Sequence, residues 1–217
     1  MKTSSRIALV ILMLAACASA QVLYDNGPIN GNAALWSIAF GYVVSDTLDL
    51  SGGSTVTGFS FGVWNEEFVP MTSVEWSLTS AENGGTVYGS GIAHSSGGSG
   101  GTLLSQYLSV NNFGYEIDEI TVSGLGVNFS SGGTYWLNLQ NAEGSNGDYY
   151  FWDENSGVGC KSNGCPSLAS ENTLGTIPSE SFTIIGGSGG TTPEPGSFLL
   201  LASGIFGLAC VLRRKLL

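Results

Sequence analysis

Polar and apolar residues alternate along short runs through most of this chain. In residues 73–78, Val74, Trp76 and Leu78 alternate with Ser73, Glu75 and Ser77. A period of two buries one set and leaves the other in water, the mark of a half-buried strand. Comparable β-rich runs occupy 36–40, 55–63, 116–122, 134–139, 149–152 and 181–185, while glycine pairs at 52–53, 84–85, 97–98 and 132–133 mark turns. Nothing in this region keeps a helical period over three turns. About ten short strands separated by turn signals predict an all-β, antiparallel β-sandwich of jelly-roll-like type. The run 95–101, Ser-Ser-Gly-Gly-Ser-Gly-Gly, reads as a flexible loop between strands.

The two ends are patterned differently. Residues 1–6 carry Lys2 and Arg6, an apolar run follows over 7–16, and Ala18-Ser19-Ala20 closes the segment. Positive start, short apolar run and small-x-small site predict a signal peptide over 1–20, cleaved after Ala20 with Ala18 and Ala20 as the recognised small residues. Leu14-Ala15-Ala16-Cys17 also fits a lipobox, so lipidation at Cys17 stands as the alternative to ordinary cleavage. After the strand-rich region 21–185 comes a Gly/Ser/Thr linker, 186–192, then Pro193-Glu194-Pro195. The run 197–212 is uncharged and mostly apolar and is followed by Arg213-Arg214-Lys215. As a transmembrane helix it spans about 24 Å, slightly short of the ~30 Å hydrocarbon core, a gap that snorkelling of the terminal bases closes. Basic residues at both ends place both in the cytoplasm and the intervening domain on the far side of the inner membrane.

Charge supports that partition. The chain has seventeen acids and six Lys and Arg, yet between residues 21 and 192 the single base is Lys161 against sixteen acids. The exported part therefore carries a charge near −15, which repels phosphate backbones and excludes nucleic acid as a partner. Cys160 and Cys165 are the only cysteines of the domain, and in an oxidising compartment they are expected to close a small loop as a disulfide.

Pro193-Glu194-Pro195, the apolar span 197–212 and Arg213-Arg214-Lys215, in that order, resemble the PEP-CTERM protein-sorting signal, which covers residues 193–217. The resemblance implies an exported protein that serves as substrate for exosortase, a membrane cysteine transpeptidase of Gram-negative bacteria that make exopolysaccharide. It implies cutting near the Pro-Glu-Pro and delivery to the cell surface or extracellular matrix. The phrase 131–142 also resembles strands of bacterial surface β-sandwich domains, a likeness of fold that carries no activity.

Candidate chemistry in the domain is sparse. His94 is the single histidine, and no G-x-S-x-G elbow accompanies it. Glu66 and Glu67 are adjacent and would point to opposite faces of a strand, unlike the paired carboxylates of a glycosidase. A non-enzymatic protein without cofactor is expected, with a glycan hydrolase the remotest alternative. The stretch 149–159 is the most suggestive. Tyr149, Tyr150 and Trp152 could stack on sugars, with Asp153, Glu154 and Asn155 hydrogen-bonding hydroxyls, which gives Tyr150, Trp152, Asp153 and Asn155 as candidate contacts to exopolysaccharide. Asp25 and Asp153 are the candidate calcium ligands, because hard oxygens suit that ion.

Overall fold

The computed structural model describes residues 21–187 apart from 33, 67 and 156–158. The described residues form thirteen strands in chain order. They are β1 (Gln21–Asp25), β2 (Leu35–Ser37), β3 (Val43–Leu50), β4 (Ser54–Asn65), β5 (Met71–Ala81), β6 (Gly84–His94) and β7 (Thr102–Val110). Then come β8 (Glu116–Phe129), β9 (Gly133–Gly144), β10 (Tyr150–Asp153), β11 (Ala169–Glu171), β12 (Gly175–Ile177) and β13 (Phe182–Gly187). The all-β expectation holds. Among the described residues no helix is long and apolar enough to cross a membrane, and the predicted span 197–212 lies outside them.

All strands belong to one hydrogen-bonded sheet in the order β1-β13-β4-β8-β7-β6-β5-β9-β3-β11-β12, with β10 pairing β4 and β2. The sheet is mixed at one point: β6 meets β7 in parallel through the single pair His94 and Thr102, and the other ladders are antiparallel. That thin junction lets the sheet curl. Phe59 of β4 and Trp76 of β5 stand on strands with three others between them in sheet order, yet their rings meet edge to face at 5.9 Å. Phe129 of β8 likewise meets Tyr135 of β9 at 4.5 Å. The half containing β1, β13, β4 and β8 therefore faces the half containing β5, β9 and β3, with one core between them.

The core follows from the period of two. Val56, Phe59, Phe61 and Val63 of β4 point inward with Val74, Trp76 and Leu78 of β5 and Leu137 and Leu139 of β9. A buried Asn138 survives among them because its amide donates to Ser77 Oγ at 3.0 Å and Thr79 Oγ1 at 2.9 Å, while its carbonyl accepts the Asn83 N–H at 2.9 Å. That pins the β5–β6 turn to β9.

Two glycines explain local departures from the sequence reading. Segment 95–101 is not a loose loop. A Cβ on Gly91 would lie 2.6 Å from Gly100 Cα, and the Gly100 carbonyl accepts the Trp76 indole N–H at 2.7 Å. The glycines there let the chain cross from one half to the other at close backbone contact. On β4, alternation fails after Phe61 and both faces are buried, because the loop following β1 covers the outer side. A Cβ on Gly62 would lie 2.7 Å from Ile29 Cγ2 and 2.9 Å from Asp153 Cβ.

Candidate functional site

Strand β10 carries the stretch singled out for sugar contact, and its register decides the matter. Tyr150, Phe151 and Trp152 pair with Asn65, Trp64 and Val63 of β4. Successive side chains alternate between faces, so Tyr150 and Trp152 enter the core while Phe151 points outward. Trp152 is 0% exposed, lies edge to face with Phe61 at 5.9 Å and Phe182 at 5.8 Å, and donates its indole N–H to the Ser181 carbonyl at 2.8 Å. Tyr150 is also buried, donates to the Val69 carbonyl at 2.8 Å, and burial pushes its phenol up to about 12.

Asp153 and Asn155 are interior as well. The Asp153 carboxylate accepts the Trp64 indole N–H at 2.6 Å, the Asn30 and Gly31 N–H groups at 2.9 and 3.0 Å, and the Ser181 hydroxyl at 3.1 Å. Burial raises its pKa, and those four donors oppose the rise. Asn155 donates its amide to the Asn26 carbonyl. Tyr150, Trp152, Asp153 and Asn155 therefore cannot offer a sugar-stacking surface: the first two fill the core and the last two tie the loop after β1 to the sheet.

The accessible rings are the odd-numbered neighbours. Phe40, 60% exposed, meets Tyr149, 49% exposed, with centroids 4.5 Å apart. Tyr149 stacks on Phe151 at 6.0 Å and 12°. Phe151 meets Tyr115 edge to face at 6.4 Å, Tyr115 meets Trp64 at 5.5 Å, and Trp64 stacks on the exposed Phe113 at 6.0 Å. Phe40, Tyr149 and Phe113 are exposed and Phe151 and Tyr115 half-buried, while the buried Trp64 links the rings from beneath. The six thus form one row that reaches the surface on either side of Trp64. Glu66 sits at its flank, accepting the Tyr115 hydroxyl at 2.9 Å. Glu67 lies outside the described residues. A one-residue shift in the face assignment of β10 separates this row from the residues that the sequence suggested. The two-residue spacing of Tyr149 and Phe151 was the available signal.

Asp25 lies on the far side of the loop after β1. Its carboxylate pairs with Lys161 at 3.3 Å and accepts the Gly27 N–H at 2.9 Å. With Pro28, Glu119 and Thr183 these residues line an open depression of about 300 Å³. The Cys160–Cys165 disulfide closes the neighbouring loop, with Cα atoms 5.9 Å apart. Asp25 and Asp153 are thus both occupied, one by a cation and one by four donors, and they do not share a site. Among the described residues no three Asp, Glu, His or Cys side chains converge as a metal-binding group. His94 is exposed beside Gly98, and no nucleophile is bonded to it among the described contacts.

Acidic residues inside the domain escaped the sequence reading. Asp46 and Glu180 are both 0% exposed. The Glu180 N–H donates to Asp46 Oδ2 at 2.7 Å, and the Ser179 hydroxyl lies 3.4 Å from the same oxygen. Burial pushes the Asp46 carboxyl up to about 7 and the Glu180 carboxyl well above its ordinary range. Glu116 and Asp118 make a second pair at the inner face of β8, each raised by burial first.

The domain is an all-β body whose last strand, β13, takes in Gly186 and Gly187, the first two residues assigned to the linker by the sequence, and ends shortly before the Pro-Glu-Pro run. The chain carries the sorting signal of an exported protein handled by exosortase: residues 191–215 match the family described as the PEP-CTERM protein-sorting motif. Pro193, Glu194, Pro195, Arg213, Arg214 and Lys215 fall within that match, and they lie outside the described residues, as do Ala18 and Ala20. A comparison with curated proteins found none that matches the chain.

Proposed function

We propose that this is a non-enzymatic structural protein of the cell surface or extracellular matrix, carried outside by a signal peptide and delivered by its C-terminal tail. Residues 21–185 are the cargo, folded as a jelly-roll-like sandwich. The interleaved strand orders β1-β13-β4-β8 and β3-β9-β5-β6 support that reading, because strands distant in sequence alternate within each half. The part of the linker beyond β13, residues 188–192, frees the motif from the domain, the helix 197–212 holds the precursor in the inner membrane, and exosortase cuts near Pro193-Glu194-Pro195. The observation that carries this function is the motif match over residues 191–215.

The test replaces Pro193, Glu194 and Pro195 together with alanine in the producing bacterium. The variant is expected to remain as full-length membrane-bound precursor while wild type leaves the membrane. Equal release of both proteins would refute processing at that motif.

The aromatic row favours a second reading, in which the domain binds the exopolysaccharide of its producer. Flat exposed rings suit the C–H face of a sugar, and Phe40, Tyr149 and Phe113 are large apolar groups left in water on a strongly acidic surface. A charge near −15 favours a neutral polymer, or an acidic one bridged by cations. Replacing Phe40, Tyr149 and Phe113 with alanine is expected to abolish retention on the native polymer without changing the unfolding midpoint by more than a few degrees. Undiminished retention would remove this reading.

A further inference from the structure

We propose that Asp46 and Glu180 are the two carboxylate ligands of a buried divalent-cation site, filled by calcium once the domain is outside the cell. Three of their four carboxylate oxygens, Asp46 Oδ1 and Glu180 Oε1 and Oε2, are buried without a hydrogen-bond partner. Buried acceptors are normally paired, and an unpaired charged group costs several times more than a neutral one. The surroundings deepen the problem, since the charges of Asp46, Glu154 and Asp153 all bear on Glu180. No base answers them: Lys161, the sole base between residues 21 and 192, has a side chain 78% exposed and pairs with Asp25.

Protons alone resolve this poorly. A proton on Glu180 shared with Asp46 Oδ1 would satisfy two of the three free oxygens, but the other Glu180 oxygen would still lack a donor. One divalent ion satisfies the free oxygens at once and cancels two negative charges. The donor set is oxygen throughout, with the Ser179 hydroxyl beside Asp46, and hard oxygens completed by water or carbonyl groups suit calcium. Asp153, a candidate from the sequence, is no ligand here because its oxygens already hold four donors.

The position gives the ion a purpose. Asp46 belongs to β3, in the half built on β9 and β5, whereas Glu180 precedes β13, in the half built on β4 and β8. The ion would clamp the two halves through β3 and the entry to β13, away from the β6–β7 junction, where the sheet's own connection is a single residue pair. The site depends only on the domain reaching a calcium-bearing medium, so its failure would leave the sorting function standing.

The test uses the full-length protein in detergent at pH 8, stripped with EGTA and titrated with calcium. One ion per chain by calorimetry is expected, together with a higher unfolding midpoint. Asp46→Asn and Glu180→Gln should each weaken calcium at least tenfold, and Asp25→Asn should not. An unchanged wild-type midpoint between EGTA and millimolar calcium would overturn the proposal in favour of protonated carboxyls, whether or not the variants fold. Unaltered calcium affinity in both Asp46→Asn and Glu180→Gln would overturn it equally.

Discussion

Truncating Trp152 to alanine separates a core role from a surface role. The side chain is fully buried, touches Phe61 and Phe182 edge to face at 5.9 and 5.8 Å, and holds the Ser181 carbonyl through its indole N–H. Removing a buried Trp costs about 3–5 kcal/mol through lost transfer and the cavity left behind. The lost hydrogen bond adds roughly 1 kcal/mol. That addition is held down because the Ser181 carbonyl keeps the Gly62 N–H at 3.5 Å. The expected loss, about 4–6 kcal/mol, is a large part of the 5–15 kcal/mol typical of a domain. Guanidinium unfolding of the full-length protein, followed by Trp fluorescence at fixed calcium, measures it. Tyr149→Ala, at an exposed position just before the same strand, should change stability by less than about 1 kcal/mol. Were Trp152→Ala within 1 kcal/mol of wild type, the inward assignment of β10 would be wrong and the sugar-contact role of Trp152 would return.

Three further outcomes are expected. Gly62→Ala should destabilise by about 1–3 kcal/mol in the same assay, since its Cβ would crowd Ile29, Ser181 and Asp153 inside 3 Å; an unchanged midpoint would show that the loop after β1 does not pack on β4. Replacing Cys160 and Cys165 with serine should cost about 2 kcal/mol, because the closed loop is short, with a sequence separation of 5. Reduction that leaves the midpoint unmoved would contradict this. The third concerns Asp118, whose carboxyl burial raises and which faces Glu116, the Ser105 hydroxyl and the Tyr150 phenol. A raised folded-state pKa means the native state holds its proton longer, so stability is greatest below the unfolded carboxylate range and falls as pH rises above it. Asp118→Asn should flatten that fall, and an identical pH profile would exclude Asp118 as its source.

Much of the architecture was legible because the alternation is strong. Val74, Trp76 and Leu78 against Ser73, Glu75 and Ser77 specify a half-buried strand, and β5 has that face inward. Where successive residues are all large and apolar the pattern gives no direction, and β10 is such a case. Tyr150, Phe151 and Trp152 are all aromatic, so only pairing with Asn65, Trp64 and Val63 settles which rings are accessible. The aromatic row joins residues 40, 64, 113, 115, 149 and 151, which no local spacing connects. Asp46 and Glu180 were invisible for a related reason. Each looks like an ordinary acid in an acidic chain, and they meet only because β3 and the entry to β13 face each other. The sorting motif was readable because its signal is linear, and the match over residues 191–215 bears it out.

The sorting role of the Pro-Glu-Pro tail is tested most directly by the intact mass of the protein recovered from its producing bacterium, with and without exosortase. With the enzyme, the expected species begins at Gln21 and ends near Pro195; without it, the tail should remain attached. A protein that keeps residues 197–217 in membranes where exosortase is active would contradict the sorting function.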